Sequence, residues 1–255
     1  MSSTVTKALS LLDHFSEAEP ELGLSELTRR AGINKASAFR LLSSLTDAGL
    51  LEQDEVSRSY SLGAGILRLA QIREATAPIA SIVRPSLERL AQHAGETAHA
   101  SVISGTALAT IGICESTRST RVSLVAGEVL PLHSTASGLA VLAFGSQTLR
   151  DKALAGQLRS QTIFTMTDPQ EVLEALSDVR GQGYATSKEE NEEDVYGIAM
   201  PFFDSSGLAL GALAVATPSH RMTTDLRDRI VVALSKEVQA VTSAIGGYVP
   251  EHAKA

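Results

Sequence analysis

Residues 24–48 read LSELTRRAGINKASAFRLLSSLTDA, and this stretch predicts two short helices separated by a tight turn. Ser25 is expected to cap the first helix, and Gly32 to end it, because glycine enters the left-handed conformation at low cost. Asn34 is expected to cap the second helix, which extends to about Ala48. Its apolar positions form one stripe at helical spacing: Ala38, Leu41, Leu42 and Leu45. This order of cap, turn and stripe predicts a helix-turn-helix.

The flanking segments complete a winged variant of that motif. Upstream, apolar residues recur at helical spacing over residues 4–16. Downstream, residues 50–53 and 58–62 are predicted strands of a hairpin, joined by the polar turn 54–57. Three helices followed by a hairpin are typical of domains that place one helix in the major groove of DNA. We therefore interpret residues 1–63 as a winged helix-turn-helix DNA-binding domain.

The second helix of the motif has a small, polar face opposite its apolar stripe, as a groove-reading helix requires. Arg40 can bind guanine or phosphate, while Lys35, Ser37 and Ser44 suit phosphate contacts. On the hairpin, two further side chains could reach the DNA backbone or the minor groove. The candidate DNA-binding residues are Lys35, Ala36, Ser37, Arg40, Ser44, Arg58 and Tyr60. Any single one of these charges could equally be an ordinary solvated side chain, so the prediction depends on the motif as a unit.

The charge balance argues against a simple nucleic-acid interpretation. The chain of 255 residues has a net charge of −7 at pH 7, and residues 1–63 hold six Lys or Arg against nine Asp or Glu. Many DNA-binding domains are basic overall. DNA binding here must therefore depend on where the charges point, and an interaction protein that does not bind DNA stays an alternative.

The remainder of the chain predicts a linker helix over residues 64–78, a larger domain over residues 79–250 and a C-terminal tail, 251–255. The larger domain mixes helices with strands that turn back on one another, which is the pattern of an α+β fold with an antiparallel sheet. Its predicted strands are 97–104, 107–115, 121–126, 195–203 and 208–216. Its main predicted helices are 132–144, 169–180, for which Asp168 is the cap, and 225–245.

Several motifs, in their order and spacing, resemble those of the IclR family of transcription regulators. In the first domain these are KALSLL at 7–12, LSEL at 24–27, AGINKAS at 31–37, FRLL at 39–42 and YSLG at 60–63. In the second they are LPLHSTASG at 130–138, the segment 183–190 and IAMP at 198–201. The resemblance covers nearly the whole chain. It implies an N-terminal winged helix-turn-helix, linker helices and a C-terminal GAF-like α/β effector-binding domain.

The resemblance also implies a small-molecule site on the concave face of the sheet. Carried over position by position, its wall consists of Ser119, Val122, Ala136, Ser137, Ser187, Val195, Gly197, Ala214 and Ala216. Ala136 and Ser137 open a helix, where free backbone N–H groups favour an anion or a carbonyl oxygen. In members that bind small carboxylates, the position of Ser187 is commonly acidic and those of Ala214 and Ala216 can be serine. We therefore expect an effector that is bulkier or less polar than a two- or three-carbon acid.

The partners implied by the resemblance are double-stranded DNA, a small organic effector and further copies of the chain, as a homodimer or a dimer of dimers. A two-fold assembly requires a roughly palindromic operator. We favour a repressor of a metabolic or catabolic operon, although the sequence does not determine the regulatory sign. No cofactor, catalytic residue or metal ligand is predicted. No ordered set of nucleophile, base and orienting group is visible, so an enzyme is the least favoured alternative.

The remaining features of the sequence favour plain structural roles. Cys114 lies in an apolar run and is interpreted as a small buried hydrophobe. His133 is interpreted as structural, and the acidic run 188–194 as a solvated loop, with gating of the effector site as the second interpretation. The N-terminus has no secretory pattern, and the longest apolar run falls short of the roughly 20 residues that span a bilayer. We therefore expect a cytoplasmic protein that does not contact the membrane.

Overall fold

The computed structural model describes residues 4–16, 18–76 and 79–253. The chain divides into two compact units, Met1–Pro78 and Ile79–Ala255. The described elements of the first unit are α1 (Thr4–Leu9), α2 (Leu24–Ala31), α3 (Lys35–Asp47), β1 (Leu51–Gln53), β2 (Tyr60–Leu62) and α4 (Ala64–Thr76). β1 and β2 pair as an antiparallel hairpin after α3, which confirms the predicted winged helix-turn-helix.

The two central helices of the first unit pack around leucine side chains that solvent does not reach, among them Leu27 and Leu42. α3 begins at the predicted cap, since the side-chain oxygen of Asn34 accepts a hydrogen bond of 2.9 Å from the Ser37 N–H. Gly32 ends α2 with a φ of +62°, also as predicted.

Two expectations for the first unit are wrong in detail. α2 begins one residue before Ser25, with Gly23 at the cap position and no side-chain capping bond. The single helix expected over residues 4–16 is instead α1 followed by a short 3₁₀ turn, Leu12–His14. Leu11, which lies between α1 and this turn, is fully buried in the core, so the segment still packs as an apolar support.

The second unit is an α+β fold built on one six-stranded sheet. Its helices are α5 (Ile79–Ala94), α6 (Ala136–Phe144), α7 (Gln147–Leu154), α8 (Pro169–Gln182) and α9 (Thr224–Ala244). Its strands are β3 (Thr97–Ser104), β4 (Ala107–Cys114), β5 (Val129–Leu130), β6 (Ala185–Lys188), β7 (Val195–Phe203) and β8 (Ala209–Pro218). They pair antiparallel in the order β5-β4-β3-β8-β7-β6.

The sheet separates two hydrophobic cores. One core lies between the sheet and the pair α5 and α9, and the other lies between the sheet and α6 with α8. Because side chains alternate along a strand, Ala98 and Ala100 of β3 face the first core while Thr97, His99 and Ser101 face α6. β3 therefore presents a polar row toward the α6 side of the sheet.

α6 is the central helix of the second core, and all nine of its residues are buried. Gly138 in its first turn lies against the backbone of Leu132. A Cβ at this position would overlap the Leu132 carbonyl oxygen and lie 2.5 Å from the Leu132 Cα. Only glycine permits this close approach of two backbone segments.

The strand expected over residues 121–126 is wrong, because no strand forms between Cys114 and Val129. This segment is held mainly by side chains. The Thr97 hydroxyl donates to the Val122 carbonyl at 2.6 Å, and Arg221 donates to the Thr120 carbonyl at 3.0 Å. The same Arg221 guanidinium forms a two-point ion pair with Glu96, whose side chain is 1% exposed.

The structure also contains elements that the sequence did not indicate, namely α7 and the two-residue strand β5. The predicted cap of α8 is confirmed, since Asp168 accepts from the Gln170 N–H at 2.9 Å. Within residues 4–16, 18–76 and 79–253, no helix combines the length and apolarity needed to cross a bilayer.

Candidate functional site

The exposed face of α3 carries the first candidate site. Lys35, Ala36 and Arg40 are exposed on it, and Ser37 is half-buried. Ser44 is also exposed, and its hydroxyl donates to the Arg40 carbonyl at 3.0 Å. The structure therefore brings these five predicted residues together on one helix, where Lys35 and Arg40 are exposed to solvent.

The cations of the first unit differ in whether acids neutralise them. Arg29 and Arg30 of α2 are both paired with Glu26, and Arg30 also with Glu19. Among the residues that the structure describes, Lys35, Arg40 and Arg58 have no such ion pair. Some acids of the unit thus neutralise the arginines of α2. The cations of α3 and of the hairpin turn remain available to bind an external anion.

One predicted DNA contact is wrong. Tyr60 is only 2% exposed and packs in the core of the first unit with Leu11 and Leu51, so it cannot offer its ring to DNA from the wing. Burial also raises the pKa of its phenol. Arg58, two residues earlier, is exposed at the hairpin turn with a φ of +59°.

Two exposed residues near this face were not predicted. Phe39 lies beside Arg40 on α3, and its side chain is 54% exposed. Lys7 of α1 borders the same open groove as Asn34, Ser37 and Arg40. Phe39 falls outside the apolar stripe of the predicted helix, and this was the sequence signal that could have identified it. The position of Lys7 could not be predicted in this way, because it depends on the packing of α1 against α3.

The second candidate site is a cavity between α6, the sheet and two loops, with about 500 Å³ of empty space including its open mouth. Eight of the nine predicted effector residues line it. They are Val122, Ala136, Ser137, Ser187, Val195, Gly197, Ala214 and Ala216. Ser119 does not line the cavity; its side chain is exposed three residues from Val122 in the segment between β4 and β5.

The N-terminus of α6 forms one end of this cavity. Thr135 caps the helix by accepting from the Gly138 N–H at 3.0 Å, and it donates to the Pro131 carbonyl at 2.7 Å. The N–H groups of Ala136 and Ser137 donate to no other group of the described residues. They can therefore bind a carbonyl oxygen or an anionic group of a ligand.

His99 of β3 lines the cavity opposite Ser137 and was not predicted. Its Nε2 lies 3.4 Å from the Ser137 hydroxyl, while its Nδ1 is buried without a hydrogen-bond partner among the described residues. Burial lowers the pKa of His99 to about 4 because solvent cannot stabilise the imidazolium. The ring is thus uncharged at neutral pH.

The acidic segment between β6 and β7 forms the opposite wall, which differs from the solvated loop that we favoured. Asn191 and Glu192 line the cavity, and Asn191 accepts from the Ser134 hydroxyl at 3.2 Å. The segment is anchored where Thr162 and Thr165 donate to its carbonyl groups, both at 2.6 Å. Burial raises the pKa of Glu190 in this segment to about 7.

Polar atoms beside the cavity are mostly used within the protein. The Ser187 hydroxyl donates to the Ser134 carbonyl at 3.0 Å, which ties β6 to the start of α6. His133 has the structural role expected of it, with its Nε2 at 3.0 Å from the Arg159 carbonyl oxygen. No Lys or Arg is among the residues that line the cavity. Its polar recognition is therefore limited to a few groups near His99, Ser137 and Asn191.

Comparison with known proteins agrees with the division of the chain into two domains. Residues 4–55 match the IclR helix-turn-helix domain, and residues 74–243 match the bacterial transcriptional regulator IclR C-terminal domain. The fold and the sites thus define a two-domain transcription regulator. The chain belongs to the IclR family, whose members among the curated relatives are regulators of transcription rather than enzymes.

Individual relatives extend over almost the full chain. The regulator KdgR of Dickeya chrysanthemi is 28% identical over 253 residues, which cover 96% of this chain and 80% of that protein. A structure from Silicibacter sp. TM1040, attributed to an IclR transcriptional regulator, is 43% identical, with a TM-score of 0.84 and coverage of 98% and 99%. An IclR homologue from Microbacterium hydrocarbonoxydans, complexed with 4-hydroxybenzoate, shares the fold at 21% identity, with a TM-score of 0.78 and coverage of 96% and 99%.

The family assignment establishes the roles of the two units in outline. The first is a helix-turn-helix domain that binds DNA, and the second is an effector-binding domain.

Proposed function

We propose that this protein represses a metabolic or catabolic operon by binding a roughly palindromic operator through α3, and that a small organic effector in the α6 cavity changes that binding. The unpaired cations on the exposed face of α3 carry the proposal for DNA. The residues beside them, Ala36 and Ser37, have small side chains, which allow the helix backbone to approach a groove of DNA. We place this activity in the cytoplasm because the DNA of a bacterium lies there.

The proposed contacts follow from the exposed side chains. Arg40, near the middle of α3, is placed to bind guanine or phosphate, and Lys35 with the first turn of α3 is placed to bind phosphate. Phe39 adds an apolar surface suited to the methyl group of thymine. Arg58 at the hairpin turn and Lys7 of α1 extend the cationic surface on either side.

Replacing Arg40 with alanine is expected to weaken operator binding by about 10- to 100-fold, since one good guanine or phosphate contact is lost. The dissociation constant is measured by a gel shift or an anisotropy titration with the promoter region beside the gene that encodes this protein. If Arg40 binds phosphate, the slope of log affinity against log salt concentration should also shrink by about 1.

Lys152→Ala is the matched control for this prediction. Lys152 is exposed on α7 in the second unit, so the change removes the same charge outside α3. Operator affinity should remain within about threefold of the wild type, because Lys152 lies outside the DNA-binding domain and an exposed charge that does not contact DNA is largely screened at physiological salt. Equal losses for Arg40→Ala and Lys152→Ala would mean that only net charge matters and would remove Arg40 from the interface.

The effector proposal is carried by the convergence of eight predicted residues on one cavity. The lining is mostly apolar, with Val122, Ala214 and Ala216 among its members, and a few polar groups lie at the α6 end. Such a lining is typical of sites that bind compact organic molecules and orient them through a small number of hydrogen bonds. The homologue from Microbacterium hydrocarbonoxydans was crystallised with 4-hydroxybenzoate, a compact organic molecule, which supports a ligand of this kind.

Pyruvate and glyoxylate are expected to bind weakly, with dissociation constants above about 1 mM, because they are too small to bury much apolar surface. Phenylpyruvate has the same head group and a larger apolar tail, so it should bind more tightly than pyruvate. Isothermal titration calorimetry on the full chain measures all three. Micromolar affinity for pyruvate or glyoxylate would contradict the proposed class of effector.

The oligomeric part of the proposal rests on α4. Leu67, Leu69 and Ile72 of this helix are each about half exposed or more in the single chain, at 61%, 48% and 51%. We propose that they pair two copies of the first unit across a two-fold axis, which gives the operator its palindromic form. Genomic footprinting of the bound sites tests this form and names the regulated genes. Bound sites without dyad symmetry would contradict it.

A further inference from the structure

We propose that His99 is a specificity-determining residue of the α6 cavity, where its ring selects effectors that present an uncharged hydroxyl or carbonyl group. This inference rests on the proposed function of the cavity and adds the chemistry of one contact. It is carried by the position of the ring, by the long contact that its Nε2 makes with Ser137 and by the composition of the surrounding wall.

The ring lies in the wall of the cavity, where a ligand would contact it. His99 is 7% exposed and lines the cavity, and its cross-strand neighbour Ala214 offers no polar side chain. One ring nitrogen lies 3.4 Å from the Ser137 hydroxyl, and the other has no partner among the described residues. Because Nδ1 is closed to solvent, a ligand would meet the ring through Nε2, whose 3.4 Å contact with Ser137 is longer than a good hydrogen bond and can be replaced by a shorter one.

The charge state of the ring limits the kind of group that it can select. Because burial keeps the imidazole unprotonated at neutral pH, it offers one donor and one acceptor but no positive charge. Among the described residues, no Lys or Arg lines the cavity, and Glu192 adds negative charge to its wall. An anionic group of the effector would instead be stabilised at the free N–H groups of Ala136 and Ser137. Because an uncharged ring offers an anion no charge attraction, we expect the group that meets His99 to be an uncharged hydroxyl or carbonyl.

Phenol and toluene test this selection, because they have nearly the same shape and phenol carries a hydroxyl where toluene carries a methyl group. Phenol loses more hydration on entering a cavity, so an apolar cavity without a partner prefers toluene. The wild-type chain is expected to bind phenol at least about tenfold more tightly than toluene, since the ring compensates the hydroxyl. Ligand-observed NMR and competition calorimetry on the full chain measure the two affinities.

Three variants separate the contact from other effects. His99→Phe is expected to abolish or reverse the preference for phenol, whereas His99→Asn, which keeps a donor and an acceptor, should retain part of it. Ser101→Ala is the matched control. Ser101 is the next residue on the same face of β3 and is also buried without a side-chain partner, but it does not line the cavity. Its substitution should leave the phenol to toluene ratio unchanged.

The outcomes distinguish this inference from the proposed function. Saturable binding of both probes with a preference for toluene in the wild type would overturn the role of His99 and leave the cavity as the effector site. An equal preference for phenol in the wild type and His99→Phe would overturn it as well. Saturable binding of neither probe would overturn both claims about the cavity. Thermal denaturation of each variant, compared with the wild type, confirms that the second unit is folded.

Discussion

Arg221→Ala is expected to lower the free energy of unfolding of the second unit by about 3 kcal/mol, because it leaves the buried carboxylate of Glu96 without its main partner. The Glu96 side chain is 1% exposed, and both of its oxygens accept from Arg221, at 2.9 and 2.7 Å. Arg118 remains nearby, but its Nε lies 3.9 Å from the carboxylate. Chemical denaturation followed by tyrosine fluorescence measures the loss, since Tyr184, Tyr196 and Tyr248 all belong to the second unit.

Two further variants show whether the uncompensated charge is the cause. In the double variant Arg221→Ala with Glu96→Gln, the buried charge is gone, so a large part of the stability should return. Arg227→Ala removes an arginine from an exposed pair with Asp228 and should cost less than about 1 kcal/mol. If Arg221→Ala and Arg227→Ala had the same small effect, the ion pair with Glu96 would not be a main support of the segment 115–128.

Gly138→Ala is expected to destabilise the second unit by about 3 kcal/mol, at the upper end of the usual cost of overpacking. The added Cβ would overlap backbone atoms of Leu132, and a backbone cannot rotate away as a side chain can. To relieve the clash, the N-terminus of α6 must shift, and that shift would also move Ala136 and Ser137 in the cavity. Thermal denaturation and titration with phenol report the two effects.

Gly181→Ala is the matched control for this substitution. Gly181 lies inside α8, is exposed, and has no atom within 4 Å of the position that a Cβ would take. Alanine is favoured over glycine in a helix by about 1 kcal/mol, so this variant should be as stable as the wild type or more stable. A Gly138→Ala protein with unchanged stability would show that α6 can move away from Leu132 at little cost.

The parts of the fold that the sequence predicted correctly are those with a strong local cause. Asn34 and Asp168 both cap their helices through side-chain bonds to nearby N–H groups, and such bonds depend only on the adjacent residues. The strand expected over residues 121–126 failed for the opposite reason. Its alternating pattern is typical of a half-buried strand, but the carbonyl of Val122 bonds to the Thr97 side chain instead of to a neighbouring strand. The partner of the Val122 carbonyl is thus determined by tertiary contacts, which the local sequence pattern does not contain.

The candidate sites show the same limit. The exposed face of α3 follows from helical periodicity alone, and most of its predicted residues are found there. The prediction for Tyr60 was wrong because the alternation of side chains along a strand does not show which face of a short hairpin packs against the core. His99 was missed because its role depends on where β3 meets α6, and Asn191 was missed because an acidic run gives no indication that part of it folds inward.

The lengths of the strands in the six-stranded sheet have a consequence for how the protein behaves at high concentration. The inner strands β7 and β8 have nine and ten residues, but the outermost strands β5 and β6 have only two and four. Short outermost strands are one device by which natural sheets limit strand addition by another chain. We therefore expect such strand-to-strand association, which leads to fibrils, to be disfavoured at these two borders.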